Sequence, residues 1–122
     1  MKVRCIQIVD EDTGQIIQNS SWLTVGREYH VLSVLIEYGK PLEFQLIADD
    51  GTTPCYNQAI QFEVISNIIP PNWVAAWDPG VCFKLSPEKW LGKGYWEDYF
   101  NGVSEAISIF ESEKEKIIKH DL

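Results

Sequence analysis

Chemistry in this chain would have to come from its carboxylates, its three cysteines or its two histidines. The run Asp10-Glu11-Asp12-Thr13-Gly14 opens like a calcium loop, but the twelfth position is Ser21, where the bidentate Glu would have to stand. It reads instead as an acidic, solvated turn. Asp49-Asp50 offers paired carboxylates for acid–base or metal work. Adjacent residues at a hairpin tip point apart, however, and an Asp-Asp-Gly sequence is accounted for by tight-turn geometry alone. Cys5, Cys55 and Cys82 are odd in number, widely spaced, and contain no CxxC pair. A nucleophilic thiol needs an activating partner. Only His30 and His120 are available, and His120 lies beside the C-terminus, where chains fray. Three reduced, mostly buried thiols of a cytoplasmic protein are the expectation. His30, with no second His or Cys at ligand spacing, reads as structural or half-exposed. Gly92-Lys93-Gly94 does not follow a strand, as a phosphate loop would. No catalytic residue, metal or cofactor is expected.

The unusual feature is the density of aromatic and acidic residues between Asn72 and Phe100. Trp73, Trp77, Trp90, Tyr95, Trp96, Tyr99 and Phe100 are interleaved there with Asp78, Glu88, Glu97 and Asp98. Trp73, Trp90 and Phe100 are expected in the core. Tyr95-Trp96-Glu97-Asp98 sits beside two glycines and cannot bury every side chain. Exposed Trp and Tyr are favoured interface anchors, and carboxylates steer a basic partner. The candidate partner-binding set is therefore Asp49, Asp50, Trp77, Asp78, Trp96, Glu97, Asp98 and Tyr99.

The elements that must position these residues change style near Pro70-Pro71. Residues 1–66 are written in strand grammar. Lys2 to Val9 alternates and ends at the acidic turn. Glu28 to Tyr38 is the strongest strand, β-branched and aromatic, ended by Gly39-Lys40-Pro41. Leu42 to Leu46 alternates, Asp49-Asp50-Gly51 is a hairpin signal, Cys55-Tyr56 begins a return strand, and Phe62 to Ile65 makes another after a one-turn link. Residues 67–85 are extended: Pro70-Pro71 excludes helix, and strands are expected at Asn72–Trp77 and Val81–Leu85 around the turn Asp78-Pro79-Gly80. Residues 86–119 are helical. Ser86-Pro87-Glu88 reads as a helix start with Ser as N-cap, Tyr95 to Asn101 as one or two turns, and Ser104 as the cap of a main helix to about Lys119. In that helix Val103, Ala106, Ile107, Phe110, Lys114 and Ile117 form one stripe, with Glu111, Glu113 and Glu115 on the exposed side.

Short strands with turn signals every 8 to 12 residues imply an α+β chain built on a small antiparallel barrel or strongly bent sheet, with the helical segment packed on it. Leu23-Thr24-Val25-Gly26-Arg27-Glu28-Tyr29-His30-Val31-Leu32 resembles the LTxGxxYxVL entry of small bacterial and phage SH3-like barrels. The turn Asp49-Asp50-Gly51 and the closing strand Phe62-Glu63-Val64-Ile65 continue the likeness, which covers residues 23–66. It implies that Gly26 turns the chain into a strand and that Leu23, Tyr29, Val31 and Phe62 fill the barrel.

Across 122 residues the chain carries 10 Lys and Arg against 18 Asp and Glu, a net charge of −8, with 45% hydrophobic residues and five each of Trp, Tyr and Phe. This excludes a disordered tail and argues for one domain. The acidity argues against nucleic acid as partner, and no apolar run is long enough to span a bilayer. In size, acidity and lack of a catalytic set the chain resembles bacterial toxin-immunity proteins of the contact-dependent growth inhibition and polymorphic toxin type. That resemblance implies a protein partner, a basic nuclease-like toxin domain covered by occlusion, and a monomer or weak dimer. An SH3-like accessory domain of phage or mobile-element origin is the alternative, and a small enzyme using Asp49, Asp50 or His30 is a third reading.

Overall fold

In the computed structural model, which describes residues 1–122, every strand pairing is antiparallel. β1 (Lys2–Cys5) lies between β4 (Glu28–His30) and β8 (Phe62–Ser66) in a three-stranded sheet. A five-stranded sheet runs in the order β7 (Pro54–Gln58), β6 (Glu43–Ile47), β5 (Ser33–Glu37), β10 (Cys82–Pro87), β9 (Trp73–Asp78). The short strands β2 (Ile8–Val9) and β3 (Ile16–Ile17) form a separate ribbon across the acidic turn. Two helices follow, α1 (Tyr95–Phe100) and α2 (Ser104–His120).

The α+β class is as expected, but the sheets are open and form no closed barrel. Closure is pre-empted on both sides. β1 fills the place between β4 and β8, while β10 occupies the edge of β5 that β6 leaves free.

The expected single strand from Glu28 to Tyr38 is two strands in two sheets. The chain crosses between them at Val31 and Leu32, both essentially fully buried. Val31 N–H donates to Met1 O and Leu32 N–H to Gln45 O, so the two residues are bonded to different sheets. Lys2 to Val9 divides in the same way, at Ile6 and Gln7, whose amides both donate to Gln61 O. This break resets the alternation, and Ile8 turns inward with Val9.

One continuous apolar cluster joins both sheets to the helices. Phe62 stands between the sheets, edge-on to Tyr29 and tilted on Phe44 at about 6 Å. At the helical end Trp90 stacks on Phe110 at 5.0 Å, and Trp96 meets both rings at steeper angles. Leu23, Tyr29, Val31 and Phe62 are all buried, as are Trp73 and Trp90. Phe100 is not: its ring is 63% exposed, because it ends the six-residue α1 and lies on the outer side of Trp96 and Tyr99.

The helical region begins later than its sequence suggests. Strand β10 runs through Ser86-Pro87, and only one 3-10 turn, Glu88–Trp90, follows. Ser86 is buried and its hydroxyl donates to Pro87 O, so it caps nothing. Ser104 is the first residue of α2, with Val103 in the cap position. The buried stripe of α2 is Ala106, Phe110, Glu113 and Ile117. Glu113 is therefore inside rather than on the exposed side, and Ile107 is partly out.

Candidate functional site

The eight candidate residues fall in three places. Asp49 is an internal brace. Its Oδ1 accepts from Tyr29 Oη at 2.7 Å, its Oδ2 accepts from Thr24 Oγ1 at 2.6 Å, and Arg27 lies 3.1 Å away. Tyr29 Oη in turn accepts from the Thr24 amide. Burial and this carboxylate together push the Tyr29 hydroxyl up to about 12, which keeps it a donor at every physiological pH. With its oxygens engaged inside the fold, Asp49 has little to offer a partner.

Asp50 and Tyr99 come together where α1 meets the β6–β7 turn. A cleft of about 320 Å³ lies there between Thr52, Thr53, Pro54, Tyr99, Phe100 and Ile107. Asp50 accepts from the amides of Thr52 and Thr53 and from the Thr53 hydroxyl, which holds its carboxyl below the usual range. Gly51 takes the left-handed conformation of that turn, at φ +79°. Burial raises Tyr99, helped by the nearby charges of Glu111 and Asp50. Glu97 and Asp98 occupy the first turn of α1, where the helix dipole favours them; both are exposed and neither makes an ion pair. Trp96 is half-buried among aromatic neighbours and is chiefly a packing residue.

Trp77 and Asp78 lie elsewhere, at the far end of the five-stranded sheet. In register, Ile36, Phe83 and Trp77 sit side by side on one face of β5, β10 and β9. Together with Tyr38, Val81 and Cys82 they line a groove of about 170 Å³ that contains no charged side chain. Trp77 is 68% exposed and Tyr38 83% exposed, an unusual disposition for rings of this size. Asp78 follows Trp77 at the end of β9 and, by alternation, faces the other side of the sheet, exposed and free of any ion pair. Sequence reasoning passed over Ile36, Tyr38, Val81 and Phe83. The alternation of Ile36 and Tyr38 was a usable signal, but their meeting with Trp77 depends on strand register.

Several of the groups considered for catalysis are engaged within the fold. His30 Nε2 lies 2.7 Å from Asp121 O, and Arg27 and Lys114, which share a cleft with it, pair with Asp49 and Glu111. Burial raises the Cys5 and Cys55 thiols, so both are held in the protonated, poorly nucleophilic form. The cysteines are unpaired, and no three His, Cys, Asp or Glu side chains gather closely enough to hold a metal ion. No helix is long and apolar enough to cross a membrane. In comparisons with known proteins, no family model, no curated protein and no solved structure matches the chain.

Proposed function

We propose that this chain is a non-enzymatic acidic binding protein, and that its role is that of an immunity protein covering a basic, nuclease-like bacterial toxin domain. The observation that carries this reading is Trp77, 68% exposed beside an uncharged groove and next to the unpaired carboxylate of Asp78. An aromatic anchor beside an apolar pocket, with a carboxylate close by on the same strand, supplies parts from which tight protein interfaces are assembled. The net charge of −8 supplies long-range attraction toward a basic surface. Glu97 and Asp98 on α1 add unpaired carboxylates at a second place. Inhibition by occlusion needs no reacting group, in keeping with the occupied histidine and the protonated thiols.

Co-expression with the product of the adjacent upstream gene tests the proposal. The expected result is a stable complex on gel filtration and rescue of growth. Trp77→Ala is expected to weaken the complex by about tenfold or more, as hot-spot truncations do. The absence of both a complex and rescue would discard the immunity role.

A further inference from the structure

We infer that the open edge of β9 is a strand-addition site, and that its occupant is an extended, basic segment of the partner protein. This deepens the proposed function and rests on it. The five-stranded sheet ends at β9, so one side of that strand has no neighbour. Antiparallel partners alternate between pairs that exchange hydrogen bonds and pairs that do not. Pro87 stands opposite Trp73 and has no N–H, which assigns that pair to the second class. Alternation then places Ala75 opposite Leu85 and Trp77 opposite Phe83 in the same class. The N–H and C=O groups of Ala75 and Trp77 therefore point away from β10, toward the open side. The N–H of Trp73 is already used by Pro70 O at 3.2 Å, which agrees with this assignment and leaves Ala75 and Trp77 as the exposed template.

Exposed edges are normally blunted by Lys, Pro, a bulge or a covering loop. Within Trp73-Val74-Ala75-Ala76-Trp77-Asp78 there is no Lys and no Pro, and the register with β10 is unbroken over all six pairs. The opposite edge, β7, differs: it starts at Pro54 and carries Asn57 and Gln58.

The side chains select what the backbone admits. Ala75 and Trp77 share a face with Phe83 and Ile36, so alternate residues of an added strand would lie over the apolar groove. Lys84 points to the other face, opposite Ala76. The unpaired Asp78 at the end of β9 and the overall charge of −8 favour a basic segment, and they disfavour a second copy, which would bring an equal negative charge.

The probe is a capped hexapeptide alternating Val and Lys, added to the isotopically labelled full chain. Hydrogen exchange at the Ala75 and Trp77 amides is expected to slow by about tenfold or more on binding. Methylating alternate amide nitrogens of the peptide is expected to abolish that protection, and Ala75→Lys to weaken binding by a similar factor with sheet content unchanged. The inference is overturned if the peptide binds without protecting these two amides, if the methylated peptide or a Val–Glu peptide binds equally well, or if nothing binds. Protection that rises with protein concentration in the absence of peptide would assign the edge to a second copy and also overturn it. The exchange measurement uses the unaltered chain, so it stands even if Ala75→Lys misfolds. Failure of the growth rescue with these two amides still protected would discard the toxin as the source of the segment and keep the edge as a site for a basic strand, which separates the two proposals.

Discussion

Tyr29 Oη donates to Asp49 Oδ1 at 2.7 Å, tying the strand that follows Gly26 to the end of β6. The same carboxylate also accepts from Thr24 and pairs with Arg27, adding to the backbone bonds that Gly26 and Arg27 make with Cys5 in holding this loop. Asp49→Ala is expected to cost about 2 kcal/mol of folding stability, since it leaves the Tyr29 and Thr24 hydroxyls without their acceptor, while the half-exposed Arg27 is solvated by water and adds little. Tyr29→Phe removes one neutral donor and should cost about 1 kcal/mol. Urea unfolding of the two single variants and the double variant checks both values. A double-variant loss well short of the sum is expected, because the residues share one network. Partner affinity of the folded Asp49→Ala fraction should be unchanged.

The two ends of the chain meet at another carboxylate. The Met1 ammonium lies 2.8 Å from Asp121 Oδ2, which also accepts from Ser66 Oγ at 2.6 Å. Burial alone would raise Asp121, but the hydrogen bonds from the N-terminus and Ser66, with the charges of the N-terminus and Lys2, outweigh it and hold the carboxyl below its ordinary value. A group depressed in the folded state adds stability above its unfolded value, near 3.9, and loses it as pH falls through the folded value. Asp10 and Asp50, both lowered by their turn hydrogen bonds, act in the same direction. Asp121→Asn is expected to cost about 2 kcal/mol near neutral pH and to flatten the loss of stability below about pH 4. Denaturant unfolding from pH 2 to pH 7 reads both effects, and an unchanged acid limb would contradict the assignment.

Local features of the fold were legible where one residue decides the geometry. The turns at Asp10–Gly14, Asp49–Gly51 and Asp78–Gly80, the strands from β6 to β10, and α2 all stand close to where turn chemistry and periodicity put them. What the sequence concealed is non-local. Val31 and Leu32 lie in a stretch that reads as one strand, rich in β-branched and aromatic residues, and nothing in their types says that one bonds Met1 and the other Gln45. Asp49 looks like a solvated turn residue until Tyr29, 20 positions away, is folded onto it. In the candidate site, Trp77 and Asp78 are legible as exposed because a Pro-Gly turn follows them. The groove itself needs the register of three strands. Ser86-Pro87 misleads for a related reason: a capping residue before Pro serves equally well at the end of a strand whose last pair makes no hydrogen bond.

Two aromatic residues of the same chain should respond oppositely to truncation. Phe110 is fully buried, stacked on Trp90 and close to Trp96 and Tyr99. Phe110→Ala opens a cavity in the layer that fastens α2 to the sheets, at an expected cost of about 3–5 kcal/mol. Trp77 leans on Phe83 alone among the rings and is mostly in solvent. Trp77→Ala should change stability by less than about 0.5 kcal/mol. Thermal melts of the two variants separate a core ring from a surface anchor, and a large loss for Trp77→Ala would mean that the groove is structural.

Glu113 is the least economical residue of the core. It is buried at 5% exposure on the inward stripe of α2, with Oε2 at 2.8 Å from Lys116 Nζ but without a well-aligned hydrogen bond at that atom. Taking a carboxylate out of water is recovered only when the pairing geometry is good and its remaining lone pairs are satisfied. Replacing it with an apolar side chain of similar volume is therefore expected to be neutral or stabilising, by up to about 2 kcal/mol for Glu113→Met. Lys116→Ala should do the reverse, leaving the charge uncompensated and lowering stability. Unfolding of both variants at neutral pH checks the pair. If Glu113→Met proves strongly destabilising, the carboxylate serves the packing of α2 in a way that its ion pair alone does not explain.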